Sequence, residues 1–400
     1  MKRYYRVTGK KVVALALLLS MLVTGCSLPG KSRVEEYVPP EETKDASSEE
    51  EEVIGMSVED ATYAALDYLK VMSLEEKVGQ VFFVRCPAEN AVEDISAYHL
   101  GGYILFGRDI RDKTADALIQ TIQSYQDAAA VPLLIGVDEE GGTVVRVSSN
   151  PHLRASKFQS PQKLFAGGGM EAVTADAREK DILLDALGFN VNLAPVADVS
   201  TDPGDFIYNR AFGRDAAATA DYVSAVTAQM AADGMGSVLK HFPGYGNNAD
   251  THTGIAVDDR PYEDFVNGDF LPFLAGMEAG GSTTAVLVFH NIVECMDAEL
   301  PASLSPNVHR ILREELDFDG VVMTDDLAMD AVAAYAEDGA VAVMALEAGN
   351  DLVLTTDYRT QIPKVKEAVE NGELDESVID TACRRVLQWK QALGLLEAVI

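Results

Sequence analysis

Between positions 78 and 356 the chain alternates short apolar runs with stretches whose apolar residues recur every three or four positions. The runs are "VGQVFFVRC" (78–86), "GGYILFG" (101–107), "PLLIGVDEE" (132–140), "FNVNLAPVADV" (189–199), "GSVLKHF" (236–242), "TTAVLVFHN" (283–291), "GVVMTDD" (320–326) and "NDLVLTT" (350–356). Each is bounded by Gly, Pro or polar residues and has the length of a strand buried on both faces. The intervals carry helical patterns, as in "DAREKDILLDALG" (176–188) and "DAVAAYAEDGAVAVMALEAG" (330–349). Ahead of the first run, "SVEDATYAALDYLKVM" (57–72) reads as a helix, and Ser73 with Glu76 has capping-box spacing for the next one. Apolar strands separated by helices imply a parallel sheet, and eight such units over about 340 residues fit an α/β fold of the (β/α)8 TIM-barrel type in one domain. A doubly wound open sheet is the competitor; it is weakened because no glycine-rich phosphate loop follows the first run.

The ends of the runs carry the chemistry. Asp138, Glu139 and Glu140 close the third, Asp198 the fourth, Lys240 and His241 the fifth, His290 and Asn291 the sixth, and Asp325 and Asp326 the seventh. In a parallel barrel all of these meet at one face, where active sites lie. A carboxylate after "GVVMT" is costly unless bonded or used, so one of Asp325 and Asp326 is expected to face the mouth while the other supports the turn. Asp250 and His252 share a glycine-bearing loop, "GYGNNADTHTG", at a spacing that lets the carboxylate orient the imidazole for proton transfer. Lys240, His241 and Arg210 are donors among acids, suited either to neutralise them or to bind hydroxyls. His241, His252, His290 and Asp325 could also be drawn as metal ligands, but no HxH pair ends the first strand, so neither metal nor cofactor is expected. A non-catalytic solute- or wall-binding role is the other alternative, opposed by the number of convergent titratable groups.

The N-terminus changes the picture of location. Five Lys/Arg precede an apolar run from Val12 to Val23, the layout of a signal peptide, and Val23-Thr24-Gly25-Cys26 resembles a lipobox. Residues 1–25 are therefore expected to be a lipoprotein signal peptide with Cys26 as the lipidated residue, anchoring the protein outside the cytoplasm of a bacterium. Residues 26–58, rich in Pro, Ser and Glu, are expected to be a disordered acidic tether, leaving 59–400 as the folded domain. The formal net charge of −32 argues against nucleic acid and favours an uncharged substrate or a locally basic pocket. Cys86, Cys295 and Cys383 have unrelated spacings and form no disulfide framework.

Taken in order, the segments "GGYILFGRD" (101–109), "PLLIGVDEEGGTVVRV" (132–147), "NVNLAPVADV" (190–199), "NRAFGRD" (209–215), "KHFPGYGNNADTHTG" (240–254), "LPASLS" (300–305) and "FDGVVMTDDLAMDAV" (318–332) resemble glycoside hydrolase family 3, in its single-barrel branch of bacterial β-N-acetylglucosaminidases. The resemblance implies Asp325 as nucleophile, His252 as acid/base and Asp250 as its orienting partner. It also carries sugar-binding roles to Asp138, Arg146, Arg210, Lys240 and His241, with a less defined part for His290. The implied partner is a carbohydrate with a terminal β-linked N-acetylhexosamine, cleaved by a monomer. A β-glucosidase, a phosphorylase of the same family and a degenerate sugar-binding lipoprotein are the alternatives. Three positions depart from the family pattern: Glu139 stands where an amide is usual, Thr143 where an arginine is, and Tyr245 where a histidine is. The outer subsites and the loop packing are where these departures would act.

Overall fold

The computed structural model describes residues 58–248, 256–329, 332, 335 and 340–396. Cys26, Asp250 and His252 therefore lie outside the described residues. Eight parallel strands, β1 (Phe82–Arg85), β2 (Gly102–Leu105), β3 (Leu134–Val137), β4 (Val191–Asn192), β5 (Gly236–Phe242), β6 (Thr284–Val288), β7 (Val322–Thr324) and β8 (Val353–Thr355), fall inside the eight apolar runs. They pair in the order β8-β1-β2-β3-β4-β5-β6-β7, and a parallel bridge between Met323 and Leu352 joins the two ends. The sheet is a closed (β/α)8 barrel.

Every residue of β2, β3, β5 and β6 is buried, the signature of strands covered on one face by helices and on the other by the barrel's own filling. Phe83, Ile104, Leu134, Val191, Leu193, Val238, Leu287 and Met323 point inward and pack together, while Trp389 closes the bottom, its indole N–H donating to the Thr283 carbonyl at 2.9 Å. Room for Phe83 depends on two glycines: a Cβ at Gly136 would stand 2.5 Å from the Phe83 ring, and one at Gly102 would meet it at 2.8 Å. The second, larger core lies between the sheet and the surrounding helices. Helix Leu74–Gln80 begins with the expected capping box, Ser73 and Glu76 each bonding the other's backbone N–H.

The fourth strand is shorter than its apolar run. Pro195 has no N–H to give the ladder, so regular pairing ends at Asn192, and the Asn192 side chain takes over by bonding the Glu139 backbone on both sides (3.0 and 3.2 Å). Beyond the proline the chain rejoins β5, the Ala197 N–H donating to the Lys240 carbonyl at 2.7 Å. This detour carries Asp198 over the end of β5. Two further short strands, Val257–Asp258 and Ile292–Val293, pair with one another above the barrel.

Candidate active site

Lys240 sits at the C-terminal end of β5, 3% exposed, with Nζ 2.7 Å from Asp138 Oδ1 and 2.7 Å from Glu140 Oε1. Glu140 in turn takes a two-pronged bond from Arg210, Nε to Oε2 at 3.0 Å and Nη2 to Oε1 at 2.8 Å. Arg146 Nη2 lies 3.8 Å from Asp138 Oδ2. Burial works against the charges of Glu140, Arg210 and Lys240, but mutual pairing outweighs it. Lys240 and Arg210 hold the Glu140 carboxyl well below the usual carboxylate range, and Asp138 with Glu140 raises the Lys240 ammonium. Glu140, Arg210 and Lys240 thus stay ionised, a paired set of donors and acceptors beside the cavity.

His241 is fixed by Asp198. Nδ1 lies 2.7 Å from Asp198 Oδ2, the His241 N–H donates to the same oxygen at 3.2 Å, and the Tyr245 N–H donates to Oδ1 at 2.7 Å. Arg210 Nη2 is 3.1 Å from His241 Nε2, so Nε2 accepts and Nδ1 carries the proton. Tyr245, where the family usually has a histidine, is buried and stacks on Phe289 at 4.8 Å between ring centroids.

Asp325 follows β7. Its N–H donates to the Val288 carbonyl at 3.1 Å, and its Oδ1 accepts from the Asp326 N–H at 2.8 Å. Burial favours its neutral form, yet the surrounding donors, His290 foremost, with the Asp326 N–H and the Lys240 ammonium, prevail and keep its carboxyl below the usual range. Asp326 does the expected turn work, its Oδ1 accepting from the backbone N–H of Ala328 (3.0 Å) and Thr356 (2.9 Å).

These groups line a cavity of about 620 Å³ at the C-terminal ends of the strands, with Ile104, Leu193, Leu287 and Leu354 as its apolar floor. Of the residues singled out from the sequence, Asp138, Arg146, Arg210, Lys240, His241 and Asp325 come together there. His290 does not reach the cavity: it is fully buried, with Nδ1 2.7 Å from Ser303 Oγ and Nε2 3.2 Å from the Asp326 carbonyl. Its ring thus lies against the turn that follows Asp325. Asp250 and His252 fall in the segment outside the described residues. The chain on either side of that segment is tied together, Asn248 Nδ2 donating to Asp258 Oδ2 at 2.7 Å and Arg260 pairing with Asp258 (2.7 Å) and Asp269 (2.8 Å).

Glu140, Asp198 and Arg85 join the site without having been singled out as site residues. Glu140 and Asp198 were visible as acids closing strands three and four, and the distinguishing signal, a cation on the neighbouring strand, becomes readable only with the strand order. Glu139 is fully buried and serves the chain: its carboxylate accepts from the N–H groups of Arg146 and Val147 (2.7 Å each), from the Ser148 N–H (3.2 Å) and from the Ser148 hydroxyl. Thr143 is exposed.

A parallel barrel whose mouth opposes a strand-end carboxylate to a buried cluster of acids and cations has the build of a glycosidase. The sequence profile described as "Glycosyl hydrolase family 3 N terminal domain" matches residues 73–389, and the chain belongs to that family. It is 31% identical over 332 residues to "Beta-hexosaminidase LpqI" of Mycobacterium tuberculosis, covering 80% of this chain and 83% of that one. It is 35% identical over 260 residues to a "Beta-hexosaminidase" of Bordetella pertussis, 64% of this chain and 72% of that protein. Among solved structures, a family 3 β-N-acetylglucosaminidase from Paenibacillus superposes with a TM-score of 0.75 at 30% identity, over 82% of this chain but only 64% of that longer one. The M. tuberculosis LpqI structure gives 0.72 at 29%, over 80% of this chain and 95% of that one.

Proposed function

We propose that the protein is a retaining exo-β-N-acetylglucosaminidase that removes a terminal β-linked N-acetylhexosamine from a peptidoglycan- or chitin-type saccharide. The observation that carries this is the pairing of Lys240 with both Asp138 and Glu140 across the cavity from Asp325, a fixed array of charged hydrogen-bonding groups opposite one ionised carboxylate. Asp138, Arg146, Arg210, Lys240 and His241 hold the hydroxyls of the sugar with its anomeric carbon over Asp325. Asp325 attacks that carbon while protonated His252, oriented by Asp250, gives its proton to the leaving oxygen. The C–O bond to the leaving group breaks and a glycosyl–aspartate ester forms. Water then attacks the same carbon with His252 as base, restoring the carboxylate and releasing the sugar with its configuration retained. A carboxylate kept ionised by its surroundings suits the nucleophile, and an imidazole with an ordinary pKa of about 6.5 suits an acid that must become a base.

The reading extends to location: Cys26 carries the lipid, residues 26–58 tether the barrel domain 59–400 to the outer face of the bacterial cell membrane, and the barrel works as a monomer. Among the described residues no helix is long and apolar enough to cross a membrane. Incorporation of labelled palmitate, lost in Cys26→Ala, tests the anchor.

The activity is tested by p-nitrophenol release from the β-N-acetylglucosaminide and the β-glucoside, with and without phosphate, for the wild type and Asp325→Ala. Release from the first substrate, lost in the variant and indifferent to phosphate, is expected. Preference for the glucoside would make the enzyme a β-glucosidase, and sugar 1-phosphate as product would make it a phosphorylase. No release from either would leave a sugar-binding lipoprotein.

A further inference from the structure

The sugar contacts proposed above come from β3, β5 and β7 and the loops after β3 and β4. The opposite side of the cavity, formed by β1 and β2, carries a different chemistry. Alternation along β1 puts Phe83 into the barrel filling, Val84 against the helices and Arg85 back toward the interior at the mouth. The same alternation on the next strand brings Ile104 and then Phe106 to the cavity, and both Arg85 and Phe106 line it. The Arg85 guanidinium lies over the Phe106 ring, 4.3 Å from its centroid, and the Arg146 guanidinium approaches the same ring at 5.8 Å.

Two features separate Arg85 from a cation that merely balances a neighbour. Among the described residues it makes no ion pair, although the chain carries a net charge of −32 and the other cavity cations, Arg146, Arg210 and Lys240, each face a carboxylate. Its Nε is buried with no hydrogen-bond partner, and so is that of Arg146. A buried donor without an acceptor is costly, and an aromatic face supplies no acceptor in the guanidinium plane. The Phe106 ring thus leaves that N–H without an acceptor beside the cavity that Arg85 lines, and a guanidinium takes carboxylate or phosphate through parallel N–H donors.

We propose that Arg85, held by Phe106 and flanked by Arg146, forms an oxyanion-binding subsite on the β1–β2 side of the cavity, which takes a carboxylate or phosphate carried by the saccharide. The proposal rests on reading the β3–β5 side as the sugar site. It makes this enzyme selective for anionic over uncharged glycans, a preference that the strongly acidic surface alone would oppose.

Binding titrations on the full chain in detergent micelles test it with four probes: N-acetylglucosamine, its 6-phosphate, its 3-O-lactyl ether and inorganic phosphate. In the wild type at least one anionic saccharide is expected to bind about tenfold or more tightly than N-acetylglucosamine. Arg85→Gln should bring that ratio close to one, and Arg85→Lys should restore part of it. In the wild type the ratio should also shrink as sodium chloride rises from about 50 mM to about 500 mM, a readout that needs no variant. Tight binding of inorganic phosphate alone, lost in Arg85→Gln, would keep the subsite but assign it to a free anion. The proposal is overturned if no anionic probe outbinds N-acetylglucosamine in the wild type, or if the preference survives Arg85→Gln unchanged. Failure of N-acetylglucosamine itself to bind would instead sink the sugar site, and the anion subsite is then judged by whether the anionic probes lose their binding in Arg85→Gln.

Discussion

Lys240 is the residue on which the charge balance of the cavity turns, because it alone bridges Asp138 and Glu140. Replacing it with Met keeps the volume but leaves Asp138 with only the distant Arg146 and Glu140 with Arg210 alone. The loss of one partner from a buried ionic cluster costs about 3–5 kcal/mol, so Lys240→Met should lower the unfolding free energy by that order. Its kcat/KM should fall about 10²–10³-fold, as for the removal of one preorganised charged donor. Denaturant unfolding and steady-state kinetics measure the two effects separately. The titration of the nucleophile gives a second prediction. With its carboxyl held below the ordinary range, Asp325 stays ionised in mild acid, and the acid limb of kcat/KM should lie below about pH 4. On the proposed reading the alkaline limb belongs to His252: activity should fall as its imidazole loses its proton, and the Asp250 carboxylate would favour the charged ring. Asp250→Asn removes that anion and should move the alkaline limb to lower pH; a limb that stays in place would separate Asp250 from His252. Much of this site was legible residue by residue, because charged groups closing apolar runs are unusual and conspicuous. The direction of the His290 ring was not legible, because a histidine at a strand end looks the same on paper whether its ring faces the cavity or, as here, the carbonyl of the next turn.

At the scale of elements, the run "DEEGG" after β3 shows why sequence stops short. Asp138 and Glu140 face the cavity, while Glu139 between them points away and gathers the loop 146–148 by its N–H groups. Three adjacent acids are indistinguishable on paper, and the strand's alternation separates them only once its register is known. Glu139→Ala leaves those buried N–H groups without an acceptor and should cost about 2–4 kcal/mol. Because Arg146 rides on the same loop, KM should rise more than kcat falls, which substrate-saturation curves would show. The strands themselves were legible, since apolar runs bounded by breakers have few other uses. Their exact lengths were not: β4 ends early where Pro195 cannot donate to the ladder, and beyond it Val196 makes a single parallel bridge with Lys240. The small pair Val257–Asp258 and Ile292–Val293 had no apolar period to announce it.

For the whole molecule, the least expected feature lies at the bottom of the barrel. Lys390 is fully buried, its Nζ bonded to Gln80 Oε1 at 2.7 Å and, among the described residues, paired with no carboxylate. Burial, offset only slightly by the Cys383 thiol, brings its ammonium down to about 7. In the unfolded chain it would titrate near 10.4, so between about pH 7 and about pH 10 the unfolded state holds a proton that the folded state has given up. Stability must therefore rise with pH in that window through this group. The difference in unfolding free energy between wild type and Lys390→Met, which cancels the other titrations, should shift toward the wild type by a few kcal/mol over the window; a flat difference would show Lys390 charged when folded. None of this touches the mouth of the barrel, where the proposed reaction stands or falls on one bond. Incubation with a slow 5-fluoro N-acetylglucosaminide, followed by mass spectrometry of peptides, tests it directly. The account predicts one sugar mass on the peptide containing Asp325, absent in Asp325→Ala. Continued turnover with no adduct, or an adduct on any other residue, would contradict it.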